Sequence, residues 1–146
     1  MKDVVISMES IQGYDLDHSD TVSFITDGQY FQDGDSSCFS YMETEVTGLA
    51  GTRTSVTVRP GEVVVDRDGS ITSRMVFRQG MKNSFQYATP YGMATLNVST
   101  RKINQRFDER GGELEVDYAV DMEHSMVMRN KMKLKITEQR EDIYYG

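Results

Sequence analysis

Residues 113–122 read ELEVDYAVDM, and this stretch decides the fold. Apolar side chains alternate with carboxylates along it, so an extended strand there has one apolar face and one charged face. After a short turn, Met132, Leu134 and Ile136 alternate with lysines in the same way. Two such strands paired antiparallel share an apolar face and set carboxylates beside ammonium groups on the other. The end of the chain therefore predicts a β-hairpin.

The same alternation runs back through the chain, and no stretch shows a helical apolar period. Turn signals separate about ten strand-like segments; they lie at residues 15–20, 33–35, 48–51, 60–61, 68–69, 80–83, 90–92, 111–112 and 123–125. Because the connections are short, each strand is expected to pair with the one before it. An antiparallel meander with one apolar face has to close, since an open edge invites aggregation. We therefore predict an all-β fold, a meander of about ten strands closed into a lipocalin-like (calycin) barrel.

Length and cysteine content indicate one domain in a reducing compartment. A chain of 146 residues buries roughly 70% of its unfolded surface, enough for a core without cross-links. We assign residues 1–138 to a single barrel domain and 139–146 to a C-terminal tail. Cys38 is the only cysteine, which favours the cytoplasm. The first strand lacks the long apolar core of a signal peptide, and no segment is long enough to span a membrane.

The charge balance argues against nucleic acid as a partner. Sixteen Lys and Arg against 23 Asp and Glu give a net charge of −7, which repels phosphate backbones. The most basic segment, residues 129–135, alternates lysines with Met132 and Leu134. That spacing is typical of the solvated face of one strand, and we expect no nucleic-acid site there.

Several local patterns, taken in order, resemble a known family. They are Phe39-x-Tyr41-x-Glu43, Gly51-Thr52-x-Thr54, Arg67-Asp68-Gly69, Met75-Val76-Phe77-x-x-Gly80 and Thr89-Pro90-Tyr91-Gly92. With the strand order, they make the chain similar to the YwiB-like domain-of-unknown-function family of Gram-positive bacteria. The resemblance covers the chain to about Glu138. It implies a small cytoplasmic barrel of the calycin class, and it implies no activity or catalytic residue, since fold alone does not specify function.

Glu43 is the charge that stands out. It shares strand parity with Phe39 and Tyr41, so an inward aromatic face would carry it inward. A buried carboxylate needs hydrogen bonds, which the hydroxyls of Thr52 and Thr54 would supply from the next strand. The alternative is that the face of Cys38, Met42 and Val46 points inward, which leaves Glu43 in solvent. Parity does not decide between these two interpretations.

The inward faces are the remaining candidates for a site. We expect a ligand-binding lining formed by Phe24, Phe39, Tyr41, Glu43, Met75, Phe77, Tyr87 and Tyr118, with Met122 and Met132 beside them. A barrel of this size is either packed solid or holds one small ligand, so the same residues also suit a solid core. His18 and His124 lie in turns without a rigid partner, and no metal, cofactor or catalytic constellation is expected.

Three hypotheses follow for the function. The first is a cytoplasmic binding module that holds a small, largely apolar molecule in the barrel. The second is a solid interaction barrel that meets another protein or forms a homodimer, with no ligand and no catalysis. The third is an enzyme that uses Glu43 as a general acid or base, although no partner group is visible in the sequence.

Overall fold

The computed structural model of the chain describes residues 1–13, 19–122 and 127–139, except for the side chains of residues 87, 89 and 127. Ten strands and one 3-10 turn, Glu45–Thr47, occur in these residues. The strands are β1 (Lys2–Gly13), β2 (Ser19–Asp33), β3 (Ser36–Met42), β4 (Arg53–Arg59), β5 (Glu62–Asp68), β6 (Thr72–Arg78), β7 (Lys82–Thr89), β8 (Gly92–Asp108), β9 (Gly111–Asp121) and β10 (Val127–Glu138).

The strands form a closed antiparallel barrel. Each strand pairs with its neighbours in sequence, and β1 closes the barrel by pairing with β10. Ile6 illustrates the closure, because it lies opposite Thr26 on one side and Ile136 on the other. The prediction of an all-β meander of ten strands is confirmed. Among the described residues, no helix is both long and apolar enough to cross a bilayer.

The alternating residues point inward as the sequence pattern predicts. Tyr30, Phe39 and Phe77 are among the largest fully buried side chains. Near the end of the barrel where β1 begins and β10 ends, the Tyr30 hydroxyl donates to the Asp108 carbonyl at 2.6 Å. The Phe107 ring stacks on Tyr30 and Phe39, with centroids 6.2 and 6.4 Å away. Aromatic packing thus fills this end of the interior.

The outer face carries the charges. Lys131 pairs with Glu115 at 3.0 Å, and this hydrogen-bonded ammonium lowers the pKa of the Glu115 carboxyl. Lys133 and Lys135 lie opposite Glu115 and Glu113 across the β9–β10 ladder. The basic segment is therefore the outward face of one strand matched to an acidic neighbour, as predicted.

Two irregularities interrupt the regular ladder. A bulge in β8 between Thr100 and Lys102 shifts the register, so Thr100 and Ile103 are both buried. The pairing of β6 with β7 is short, limited to Thr72 with Ala88 and Ser73 with Tyr87. Beyond these pairs the link is made by Asn83, whose Nδ2 donates to the Val76 carbonyl at 3.3 Å. The β6–β7 seam is the weakest ladder of the barrel.

The predicted turn at residues 111–112 is wrong by two residues. The reversal is at 109–110, where the Arg110 amide donates to the Asp108 side chain at 2.8 Å, and β9 begins at Gly111. Both glycines are needed inside the strand for steric reasons. A Cβ at Gly111 would meet the Ile136 carbonyl, and one at Gly112 would meet the Arg106 carbonyl.

Candidate functional site in the barrel interior

One half of the barrel interior is less tightly buried than the other. We call it the open half; it lies toward the end where β1–β2, β3–β4, β5–β6, β7–β8 and β9–β10 are connected. Six of its inward apolar side chains are only partly buried, whereas Tyr41 in the same half is buried. The six are Met8, Phe24, Met75, Leu96, Tyr118 and Val120. Of the five connections, residues 14–18 and 123–126 lie outside the described residues.

Glu43 lies inside the barrel, directly after β3. Its side chain is buried, with 6% of the residue exposed. One carboxylate oxygen accepts from the Thr54 hydroxyl at 2.8 Å, and the other accepts from the Thr47 hydroxyl at 2.7 Å. The Glu43 amide also donates to the Thr52 carbonyl at 2.8 Å, which extends the β3–β4 ladder. The carboxylate is therefore inward and hydrogen-bonded, and the solvated alternative is wrong.

Tyr41 joins this network from the neighbouring inward position. Its ring packs against Phe24 with centroids 5.7 Å apart. Burial raises the pKa of the Tyr41 phenol, and the nearby Glu43 charge raises it further. A phenol that stays neutral adds no second negative charge beside the Glu43 carboxylate.

Arg67 brings a positive charge into the same half of the barrel. Thr54 on β4 lies opposite Arg67 on β5, which in turn lies opposite Ser73 on β6. Arg67 follows Val63 and Val65 on the inward face of its strand. Its guanidinium acts on both Tyr41 and Tyr118, partly offsetting the effect of burial on the pKa of each phenol. In the sequence, Arg67 stood out only as the first residue of the Arg67-Asp68-Gly69 pattern, next to a predicted turn.

Two donors in this cluster have no acceptor. The Nε of Arg67 and the hydroxyl of Ser73 are buried, and each lacks a hydrogen-bond partner. None of the ion pairs among residues 1–13, 19–122 and 127–139 involves Arg67. The interior therefore combines a satisfied carboxylate with an unsatisfied cation.

The other predicted lining residues differ in how deeply the structure buries them. Phe39 and Phe77 are buried, while Phe24, Met75 and Tyr118 are partly buried. Tyr87 lies on β7 opposite Ser73, but its side chain is outside the described residues, as are His18 and His124. The placement of Met122 was wrong, because it is 51% exposed beyond the end of β9. Whether the lining binds a ligand stays a prediction.

The chemistry of this cluster suits binding. In the described part of the chain, no three His, Cys, Asp or Glu side chains converge on a possible metal position. Cys38 lies on the outer face, where its thiol donates to the Thr57 hydroxyl at 3.7 Å. The polar groups of this cluster are hydroxyls, the Glu43 carboxylate and the Arg67 guanidinium, and beside apolar side chains they can orient the polar end of a small molecule.

Outer grooves are a poorer match to an apolar ligand. One groove, with a volume of about 750 Å³, runs across β8, β9, β10 and β1. Charged side chains of both signs line it, including Glu9, Glu113 and Lys133. These charges are solvated or matched across strands, so the interior is the better candidate.

The buried phenols predict a loss of stability at high pH. Burial raises the pKa of Tyr30, Tyr41 and Tyr118 above the ordinary value. Above about pH 10 the unfolded chain releases phenol protons that the folded barrel keeps. The stability that the buried phenols contribute is therefore fully present below that pH and is lost as the pH rises above it. We expect Tyr41→Phe to reduce the slope of unfolding free energy against pH by about 1.4 kcal/mol per pH unit there. Urea unfolding at several pH values measures it.

Tyr118→Phe is the parallel variant for the alkaline titration, because burial raises the pKa of the Tyr118 phenol as well. It should reduce the slope in the same direction. A Tyr41→Phe variant with the wild-type slope would show that the Tyr41 phenol ionises as readily in the barrel as in the unfolded chain.

The fold and this interior define a class of protein: a small closed ten-stranded β-barrel with a polar cluster inside its open half. The chain belongs to the family described as Domain of unknown function (DUF1934), whose model matches residues 6–134. The uncharacterized beta-barrel protein YwiB of Bacillus subtilis (strain 168) is 29% identical over 101 residues, 69% of this chain and 70% of that protein. The YwiB-like resemblance is thus confirmed.

A solved structure supports the same fold. The crystal structure of the YwiB protein from Bacillus subtilis superposes with a TM-score of 0.85 at 23% sequence identity. The match covers 95% of this chain and 93% of that one. Similarity at this level confirms the ten-stranded barrel, and says nothing about a ligand.

Proposed function

We propose that this protein is a binding module that holds a small, largely apolar molecule in the open half of its barrel. The proposal places it in the cytoplasm, where its single cysteine, Cys38, stays reduced. It is a ligand carrier or sensor by this proposal, and it catalyses no reaction. Kinship with the lipocalin-like class is an analogy that agrees with the proposal and does not carry it.

One observation carries the proposal: inward apolar side chains remain partly exposed in the open half. In a barrel that packed solid at both ends, Phe24, Met75 and Leu96 would be buried as fully as Phe39 and Phe77. Apolar surface that is concave and reachable is where small molecules bind, because binding removes that surface from water.

The polar cluster gives such a site its selectivity. Glu43 is held by hydroxyls on both sides, so its position is set before any ligand arrives. A few fixed polar groups on an apolar wall orient a ligand at small entropic cost.

Binding of a neutral apolar fluorophore tests the proposal. We expect N-phenyl-1-naphthylamine to bind the purified protein with micromolar affinity and increased fluorescence. Leu96→Trp fills the open half and should weaken binding by about tenfold or more, because a bulky ring competes for the space. Thr95→Trp is the matched control, since Thr95 is the exposed neighbour on the same strand. Its affinity should equal that of the wild type.

The alternative is a solid interaction barrel. Ile25, Met42 and Val46 are exposed apolar residues on β2, β3 and the 3-10 turn, and they would line a contact with a second copy or another protein. If the fluorophore does not bind and the mass in solution is that of a dimer, the interaction barrel replaces the binding module. Binding that is equal in both tryptophan variants would also overturn the interior site.

A further inference from the structure

The positive charge inside the barrel makes no ion pair with the described groups around it. Arg67 sits between Thr54 and Ser73 in one row across three strands. Its Nε is buried without a hydrogen-bond acceptor. Buried donors are almost always paired in folded proteins, because an unpaired donor loses its bond to water and gains nothing in return. An empty acceptor position beside Arg67 therefore calls for an explanation.

Glu43 does not fill that position. Both of its carboxylate oxygens accept hydrogen bonds from threonine hydroxyls, on Thr47 and Thr54. No ion pair between Glu43 and Arg67 occurs among the described residues. The carboxylate is thus satisfied by neutral donors, and the guanidinium keeps its own donors available.

A second unpaired donor lies next to the first. The Ser73 hydroxyl is buried without a partner, and Ser73 is the cross-strand neighbour of Arg67. Directly opposed residues on antiparallel strands have Cβ atoms about 5 Å apart, so both side chains can reach one acceptor. A guanidinium and a hydroxyl converging from adjacent strands suit an oxyanion, which accepts several hydrogen bonds at once.

We propose that Arg67 and Ser73 bind the carboxylate head of the ligand, so that the molecule held in the barrel is an apolar monocarboxylate. This inference rests on the proposed function, because it assigns one end of the same ligand. Met75 follows Ser73 on the inward face of β6 and lies in the partly buried lining, which places apolar surface directly beside the head group. The tail lies along Met75 and Phe24, and the head accepts from Arg67 and Ser73.

The net negative charge of the chain means that a carboxylate is not attracted to the protein surface in general. A chain with a net charge of −7 repels anions from its surface. A preference for a carboxylate over a neutral analogue therefore has to come from a local cation in contact with the ligand. Arg67 is the inward-facing arginine of the described cluster, whereas Arg74, on the next strand, is outward and pairs with Asp66 at 3.8 Å.

Competition between two ligands of equal chain length tests the proposal. Decanoate and decanol are used to displace N-phenyl-1-naphthylamine from the protein at neutral pH. We expect decanoate to displace the fluorophore at about tenfold lower concentration than decanol in the wild type. Arg67→Gln should bring the two concentrations within about twofold, and Ser73→Ala should reduce the preference to about threefold.

Arg74→Gln is the matched control and should keep the wild-type preference. Fluorophore affinity and thermal unfolding of each variant show whether its barrel is intact; if Arg67→Gln does not fold, Ser73→Ala decides. Wild-type protein that binds the fluorophore but prefers neither decanoate nor decanol overturns the carboxylate and leaves the binding module standing. A preference for decanoate that persists in both Arg67→Gln and Ser73→Ala also overturns the carboxylate assignment and leaves the binding module standing. Failure of the fluorophore to bind the wild type removes the binding module itself.

Discussion

Replacing Phe77 by alanine should lower the free energy of unfolding by about 4 kcal/mol, because a fully buried ring is removed and the barrel closes only partly over the space. Phe77 is 1% exposed, lies opposite Val63 across the β5–β6 ladder and belongs to the main core cluster. It also packs edge-on against Tyr118, with ring centroids 4.7 Å apart. Guanidinium-induced unfolding followed by far-ultraviolet circular dichroism measures the change.

The matched control for Phe77→Ala is the same substitution at Phe31, on β2. Phe31 is 41% exposed, so Phe31→Ala should cost less than about 1 kcal/mol. Phe77→Leu should fall between the two, since it keeps part of the buried volume. Equal costs at Phe77 and Phe31 would mean that the aromatic wall is not packed as the structure places it.

The barrel could be predicted because strand alternation and turn chemistry are local signals. The parity of Leu114, Val116 and Tyr118 fixes which face of β9 points inward, whatever the strand packs against. Because the turns are short, each strand pairs with the preceding one. Closure follows from the need to cover both edges, and β1 with β10 provides it.

The departures from regularity could not be predicted in the same way. The bulge after Thr100 reverses the inward parity of β8, so Ile103 is buried although it lies an odd number of residues away. The turn displaced to residues 109–110 depends on a side-chain hydrogen bond of Asp108. The short β6–β7 ladder has no signal in the sequence of either strand. The Asp108 hydrogen bond is local, but the Gly111–Gly112 pair was the stronger turn signal in the sequence.

Only part of the candidate site could be inferred from the sequence. Glu43 stood out as a charge on an aromatic face, but parity alone did not say which face was inward. Arg67 was missed because it adjoins a turn and is flanked by Asp66 and Asp68, a pattern typical of a solvated hairpin end. The strand before it reads Val63-Val64-Val65, so alternation in the sequence could not show which face Arg67 lies on. The register that joins Arg67 to Ser73 needed the structure.

Replacing Glu43 by alanine should lower the free energy of unfolding by about 3 kcal/mol, which is large for a glutamate. The substitution leaves the Thr54 hydroxyl, on a residue only 1% exposed, without its acceptor, and it removes the carboxylate acceptor of the Thr47 hydroxyl. Hydrogen bonds to a charged group contribute about 1.5–3 kcal/mol each, offset by the desolvation of the carboxylate. Chemical unfolding at neutral pH measures the loss.

Glu43→Gln separates hydrogen bonding from charge. The amide oxygen can still accept from the Thr54 hydroxyl. The amide nitrogen can donate to the Thr47 hydroxyl, whose single proton then points to the Thr44 carbonyl, 3.2 Å away. We therefore expect Glu43→Gln to cost about 1 kcal/mol, well below Glu43→Ala. Glu115→Ala is the surface control and should cost about 0.5 kcal/mol, because its pair with Lys131 is exposed. A Glu43→Ala variant as stable as Glu115→Ala would place the carboxylate in solvent and remove it from the interior site.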